Sequence, residues 1–266
     1  MARLPTLYIP HGGGPCFFMD WSPPDTWDRM AAWLRGLAAD IGERPRAVLL
    51  ISGHWEEPRV AVNAQAAPPL LFDYYGFPPH TYQLRYPAPG DPALAARVQE
   101  LLTTGGVPTR AETERGLDHG VFVPFLLIYP DADVPIVQLS LHASLDAAAH
   151  LKLGALLEPL RDEGVLIVGS GMSYHNMRGL MGAGNPGADS ERFDTWLGAA
   201  CTAAPTERTR LLTNWQQAPA ARASHPREEH LLPLMVAAGA GGDDAGRRVF
   251  HDRVMGATVS AFAFGA

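Results

Sequence analysis

The side chains most able to do chemistry in this 266-residue sequence are histidines that follow short apolar runs. The run LYIP leads directly to His11, and the run AVLLIS is followed by Gly53 and His54. A third run, VLIV, leads through GSG to His175, a few residues past Gly171. Imidazole is the commonest metal-binding side chain, and neighbouring glycines allow close approach to the backbone. The pattern indicates a metal site built from histidines.

The spacing of the histidines indicates which kind of metal site they form. Structural zinc sites usually contain a local ligand pair such as CxxC or HxxxH, and this sequence has neither. Distant ligands brought together by a fold favour a preformed catalytic site with open coordination positions. Fe(II) held by two histidines and a third N or O ligand activates O2, whereas Zn(II) with a bound hydroxide is the alternative. Spacing alone leaves both metals open.

Buried strands must position these histidines. Apolar runs over residues 7–10, 47–52, 135–141 and 165–168, with another over 259–264, are short, rich in Val and Ile, and lack clean alternation. Such runs are typical of strands buried on both faces. In open α/β sheets, ligands bind outside the carboxyl ends of strands, where the first three histidines are expected.

Helical patterns separate the apolar runs. They cover residues 27–39, 92–102, 147–161, 189–199 and 228–238. Asp91 is the expected N-cap of the second, with Pro92 in its first turn. Strands alternating with helices predict an α/β fold, with a central, mostly buried sheet flanked by helices. No linker-like tract interrupts the chain, so we expect one catalytic domain over residues 1–266.

Composition narrows the classes of partner. A formal net charge of -7 and a pI near 5.8 argue against a nucleic-acid surface. No window reaches the roughly 20 consecutive apolar residues of a membrane span. The two cysteines, Cys16 and Cys201, are far apart in the chain and suit a reducing compartment. We therefore expect a cytoplasmic protein. A homodimer is expected only from the general frequency of such assemblies.

A set of motifs spread over nearly the whole chain resembles a known family. In chain order they are HGGGP (11–15), ISGHW (51–55), DYYGFP (73–78), YPAPG (86–90), LDHG (117–120), YPDADVP (129–135), GSGMSYHN (169–176) and EHLLPL (229–234). The sequence resembles class III extradiol ring-cleavage dioxygenases of the DOPA-4,5-dioxygenase type, which are related to the catalytic subunit of protocatechuate 4,5-dioxygenase. The resemblance implies an Fe(II)-dependent enzyme that opens a catechol with O2 to a muconic semialdehyde.

The resemblance also implies roles for individual histidines. His11 and His54 would be metal ligands, and His230, at the start of the last helix in the EHLLPL segment, would be the third. His175 would be the acid–base histidine and a possible fourth ligand. His119 would help to hold substrate or oxygen from outside the metal's ligand set. Loss of His175 would then lower turnover roughly 10²–10⁴-fold.

Two departures and one competitor accompany this assignment. The family motif commonly reads HGSP where this chain has HGGGP, and commonly has alanine where Gly53 stands. Neither change removes a ligand. The wider superfamily uses a carboxylate as third ligand, and Glu229 beside His230 competes for that role.

Substrate contacts and rival functions complete the expectations. An aromatic pocket is predicted from Trp55, Tyr74, Tyr75 and Phe77, and a substrate carboxylate could meet Arg85 or Arg178. One rival is a zinc hydrolase using the same histidines, which would be indifferent to O2. The other is a non-enzymatic metal-binding interaction protein of the same fold.

Overall fold

One mixed β-sheet organises the computed structural model, which describes residues 3–182 and 185–266. Its strands are β1 (Thr6–Pro10), β2 (Ala47–Glu57), β3 (Val60–Asn63), β4 (Thr109–Glu112), β5 (Ile136–His142), β6 (Val165–Gly171), β7 (Gly246–Val254) and β8 (Ala257–Phe264). Their order in the sheet is β4-β3-β5-β2-β6-β1-β8-β7. The central strands β5, β2, β6 and β1 are parallel, whereas β8 pairs antiparallel with β1. All five predicted apolar runs lie in strands, apart from Pro135 at the edge of β5.

Helices cover both faces of the sheet. They are α1 (Asp28–Ile41), α2 (Pro92–Thr104), α3 (His119–Ile128), α4 (Ala147–Leu157), α5 (Met177–Leu180), α6 (Pro186–Thr202), α7 (Pro205–Thr213), α8 (Ala221–Ser224) and α9 (Leu232–Ala240). Successive residues of β2 face opposite layers: Leu50 packs in the cluster with α1 and α3, and Leu49 in the cluster with α4 and α9. The predicted α/β fold with a buried sheet between helices is confirmed.

Proline and capping residues set the helix boundaries. Asp91 caps α2 as predicted, because its side chain accepts a hydrogen bond from the N–H of Leu94 at 2.9 Å. The predicted helix over 147–161 ends at Leu157 and continues as a 3₁₀ turn, since Pro159 lacks an N–H donor. The helix predicted over 228–238 is wrong at its start: α9 begins at Leu232, which places Pro233 in the first turn, where its missing N–H costs least.

Some elements have no clear periodic signal. α3 is buried along nearly its whole length, so it has no polar stripe from which a helical period could be read. The edge strand β4 has the sequence TRAE and no fully buried residue. Within the described residues, none of the helices combines the length and hydropathy needed to cross a bilayer.

Candidate metal centre

Strands β1 and β2, on either side of β6 in the sheet, position the first two predicted ligands. His11 follows β1, and its backbone N–H donates to the carbonyl of Gly171 at the end of β6. His54 was predicted to follow β2, but β2 continues to Glu57 and contains it. The register explains the difference. Ile51 pairs with Leu139 and Glu56 with Leu141, so β2 advances five residues where its partner β5 advances two. His54 lies in this bulge, which turns its ring toward the site.

The third predicted ligand is brought over the end of β6 by close backbone packing. A Cβ atom on Gly171 would lie 2.1 Å from the carbonyl oxygen of His230, so only glycine permits this approach. The same carbonyl accepts hydrogen bonds from the Tyr8 hydroxyl at 2.8 Å and from the N–H of Met172 at 3.1 Å. His230 lies in a turn two residues before α9 rather than in the helix itself.

The side chains of His11, His54 and His230 converge. One ring nitrogen from each lies within 4.8 Å of the others. The ring centroids are 4.9 Å apart for His11 and His54, 5.2 Å for His11 and His230, and 4.7 Å for His54 and His230. The Nε2 atoms of His54 and His230 are 3.2 Å apart. Residues separated by more than 200 positions in sequence thus form one cluster.

The donor atoms of this cluster fit a metal ion. Nδ1 of His11 lies 3.0 Å from the carbonyl of Gly12, which can only accept, so that nitrogen carries the proton. Nε2 of His11 is buried and has no hydrogen-bond partner among the described residues. Nδ1 of His230 likewise donates to Glu229 at 2.9 Å, which leaves its Nε2 as a lone-pair donor. Nitrogens bound to one metal at about 2.1 Å lie roughly 3 to 3.5 Å apart, which matches the His54–His230 separation.

Burial keeps the three imidazoles neutral, the form that binds a metal. Burial, with the neighbouring histidines, lowers the pKa of His11 and of His230 well below the usual value. Burial and the adjacent His119 lower the pKa of His54 to about 4. The cluster therefore offers neutral nitrogen donors near neutral pH.

His119 is oriented by a carboxylate beside the cluster. Its ring centroid is 4.0 Å from that of His54 and 5.4 Å from that of His11. Asp73 accepts from Nδ1 of His119 at 2.7 Å and from its backbone N–H at 3.0 Å. The other oxygen of Asp73 lies 3.7 Å from Nδ1 of His54. Because Nδ1 of His119 contacts Asp73, its Nε2 faces away from that carboxylate. This orientation would let Nε2 contact a bound molecule.

His175 lies on the opposite side, against His230. Its Nδ1 is 3.1 Å from an oxygen of Glu229, and the same oxygen accepts from His230. Burial alone would raise the pKa of Glu229, but its contacts with His175 and His230 hold that pKa well below the usual range. The nitrogens of His175 group with Glu229 and His230 rather than with His11 and His54. Its place as a fourth ligand stays a prediction.

The predicted aromatic pocket is only partly assembled. Tyr74 is buried with its ring centroid 5.8 Å from that of His119, and Phe77 packs against it at 5.4 Å. Trp55 is buried and lies under the guanidinium of Arg115. Tyr75, in contrast, is 90% exposed. Arg85 and Arg178 are both exposed.

Two carboxylates of the site had no role assigned from sequence. Asp73 contacts His119 and His54, and the fully buried Asp118 contacts Ser52 in the same strand as His54. Both lie in motifs quoted above, DYYGFP and LDHG. The sequence could have predicted partners for Asp118. It lies between Leu117 and an apolar helix, and an acidic residue in such a place is rarely buried unless it is paired.

Comparison with known proteins gives the class of this fold and site. A family model described as the catalytic LigB subunit of aromatic ring-opening dioxygenase matches residues 5–264. A 4,5-DOPA dioxygenase extradiol of Beta vulgaris is 38% identical over 257 residues, covering 96% of this chain and 93% of that protein. The protein of the same name from Escherichia coli (strain K12) is 35% identical over 241 residues, covering 90% and 85%. A dioxygenase, tasH, of Hapsidospora irregularis is 35% identical, covering 100% and 86%.

A solved structure gives the same result. The crystal structure of an uncharacterized protein from Escherichia coli K12 superimposes with a TM-score of 0.80 at 32% identity, covering 99% of this chain and 100% of that one. The chain belongs to the LigB family of aromatic ring-opening dioxygenases, the class III extradiol enzymes. The predictions of an enzyme, of extradiol ring cleavage and of this family are confirmed. Family membership favours a dioxygenase over the hydrolase and the non-enzymatic protein.

Proposed function

We propose that this chain is an Fe(II)-dependent extradiol dioxygenase whose metal is held by His11, His54 and His230. It would open a catechol with O2 to a muconic semialdehyde, in the breakdown of an aromatic compound. The observation that carries the proposal is the buried Nε2 of His11, which has no hydrogen-bond partner among the described residues. It belongs to a cluster in which one ring nitrogen each of His11, His54 and His230 lies within 4.8 Å of the others. A buried polar atom without a partner is costly, and a bound metal ion would satisfy this nitrogen.

The reaction class favours iron over zinc. Zn(II) has no redox chemistry, whereas ring opening by O2 is an oxidation. Zn(II) can nonetheless occupy the same three nitrogens, because such sites generally bind it more tightly than Fe(II). When bound, Fe(II) would mediate electron transfer between ring and O2 and hold both close together.

The remaining histidines would handle protons and contacts. A carboxylate oxygen only accepts, so the contact with Glu229 places the Nδ1 proton of His175 toward it and leaves Nε2 for the reaction. There His175 would take a proton from the diol and return one to oxygen, as imidazole can near neutral pH. His119, held in the same way by Asp73, would contact substrate or oxygen through its Nε2.

The relatives suggest which catechol to test first. Proteins from Beta vulgaris and Escherichia coli (strain K12) are named for 4,5-DOPA, so we propose a catechol with a side chain, beginning with DOPA. Tyr74 and Phe77 would form the apolar wall beside the ring, at right angles to one another. Arg178, two residues beyond Asn176 in the GSGMSYHN segment, is our candidate for meeting a substrate carboxylate.

An anaerobic reconstitution tests the proposal. Metal-free protein is loaded with Fe(II) or with Zn(II), offered DOPA and a panel of other catechols, and exposed to air. We expect a yellow ring-fission product with matching O2 uptake from the Fe(II) form only. His11→Ala is expected to bind no iron and form no product. Product formation by the Zn(II) form, or full iron binding by His11→Ala, would contradict the assignment.

We also propose a cytoplasmic enzyme with one catalytic domain over residues 1–266, without nucleic-acid or membrane partners. Support comes from the net charge of -7 and from Cys16 and Cys201, which are both free and buried. A homodimer is our proposal for its assembly, because closed two-fold dimers are the commonest oligomers. Native mass spectrometry should give twice the 28.7 kDa chain mass.

A further inference from the structure

The backbone of His54 lies outside the regular hydrogen-bond ladder of the sheet. Pairing of β2 with β6 ends at Ser52 and Ser170, and pairing with β5 skips from Ile51 to Glu56. Among the described residues, His54 thus has no register partner in either neighbouring strand. A buried backbone group without a partner is costly, so the N–H and C=O of His54 need other acceptors and donors.

Two side chains supply them. The N–H of His54 donates to the hydroxyl of Ser52 at 3.1 Å, and the C=O of His54 accepts from the guanidinium of Arg115 at 3.2 Å. Arg115 also lies over the ring of Trp55, the residue after His54, at 5.1 Å. Both backbone groups of the candidate ligand are therefore held by side chains rather than by the sheet.

Ser52 and Arg115 both donate to the carboxylate of Asp118. Ser52 donates to Oδ1 of Asp118 at 2.8 Å, and Arg115 donates to Oδ2 of Asp118 at 3.2 Å. Gln138 of β5 also donates to Oδ2. Asp118 is fully buried, and its charge is compensated by these donors. The contacts with Ser52 and Arg115 fix the two links that hold His54.

We infer that Asp118 is the positioning residue for His54, acting through Ser52 and Arg115 to fix the bulge from which that ring reaches the metal. The inference rests on the proposed function, because it takes His54 as a ligand. Partners that orient a metal-binding histidine usually change metal affinity when replaced, by roughly 10–100-fold. Asp118→Asn keeps the shape but replaces one acceptor oxygen with a donor group.

The test is metal affinity measured separately from stability. Co(II) is titrated into metal-free full-length protein in competition with a chromogenic chelator, and the melting temperature of the metal-free form is recorded. We expect Asp118→Asn to bind Co(II) about 10–100-fold more weakly. The matched control is Asp194→Asn, because Asp194 is another buried aspartate, which lies in α6 and pairs with Arg248 of β7. It should lower the melting temperature but leave Co(II) affinity unchanged.

Ser52→Ala provides a second variant should Asp118→Asn fail to fold. It removes one link without changing charge, and we expect weaker Co(II) binding than in the wild type. In the double variant, the loss of Co(II) affinity should be smaller than the two single losses combined, because Asp118 acts partly through Ser52. Wild-type affinity in Ser52→Ala, or additive losses, would overturn the inference.

His54→Ala separates this inference from the proposed function. Co(II) binding that is abolished by His54→Ala but unchanged by Asp118→Asn would overturn the positioning role alone. Co(II) binding that survives His54→Ala would overturn both, since His54 would then not be a ligand.

Discussion

The ring of His175 is stacked on the ring of His230, with centroids 3.4 Å apart and planes 17° from parallel. A single oxygen of Glu229 contacts Nδ1 of both rings. Arg227 forms ion pairs with Glu56 and with Glu229, so the carboxylate is itself held. The proposed acid–base residue and a proposed ligand share one anchor, and only variants that change one of them at a time can separate their roles.

Replacing His175 should affect turnover and leave iron binding intact. His175→Phe keeps a flat ring against His230 but removes both nitrogens, and turnover should fall roughly 10²–10⁴-fold. Bound iron per chain should be unchanged, because His175 does not group with His11 and His54. Steady-state kinetics and iron analysis check both. The exposed His251 gives the control His251→Phe. Wild-type turnover would contradict the acid–base role, whereas loss of iron would make His175 a fourth ligand.

Glu229→Gln should weaken metal binding without abolishing it. Glutamine keeps one oxygen that can accept from both Nδ1–H groups, but it loses the negative charge that strengthens these two hydrogen bonds. His230 and His175 are then held less firmly, and affinity should fall roughly 10–100-fold. The adjacent Glu228 pairs with Arg222, which makes Glu228→Gln a matched control that should bind metal normally.

His230→Ala completes this comparison. It should abolish metal binding, as measured by the same chelator competition. If metal binding were instead abolished by Glu229→Gln and kept by His230→Ala, the carboxylate would be the third ligand and our assignment would be wrong.

Gly171→Ala should destabilise the fold and the site together. The new methyl group would meet the His230 carbonyl at 2.1 Å, which forces the ligand segment off β6. Overpacking of this kind costs about 1–3 kcal/mol of unfolding free energy. Urea unfolding and metal titration should both show the loss. Gly36→Ala in α1 is the control, because no atom of the described residues lies within 4 Å of a Cβ at that position, and there alanine should be neutral or stabilising. Equal stability of the two variants would contradict the packing argument.

His225 should make the protein less stable in acid. Burial lowers its pKa to about 3, although its hydrogen bond to the Ser173 carbonyl opposes the shift. The unfolded chain therefore takes up this proton first as the pH falls. The contribution of His225 to stability is complete above about pH 6.5 and is lost progressively toward pH 3, at about 1.4 kcal/mol per pH unit.

Urea unfolding of the wild type and His225→Gln, with a chelator present, measures this contribution. Between pH 6.5 and pH 5, the unfolding free energy of the wild type should fall by about 2 kcal/mol more than that of the variant. A difference that is the same at both pH values would show that His225 does not titrate in this way.

The local parts of this protein could be read from its sequence. Apolar runs without alternation predicted β1, β2, β5, β6 and β8, because a strand buried on both faces needs apolar residues throughout. Asp91 before Pro92 predicted the start of α2, since both act within one turn. Histidines that follow apolar runs among glycines predicted His11, His54 and His175 as metal candidates, because the chemistry of a ligand is a property of its own side chain. His230 was predicted only from the resemblance of its segment to the family motif.

Tertiary structure alone decided how those residues are held. Asp73 reaches His119 over 46 positions, and His230 meets His54 over 176. The bulge at His54 depends on β2 pairing unequally with β5 and β6. Such partners are selected by which surfaces meet after the chain has folded, and no local pattern of residue types records that choice.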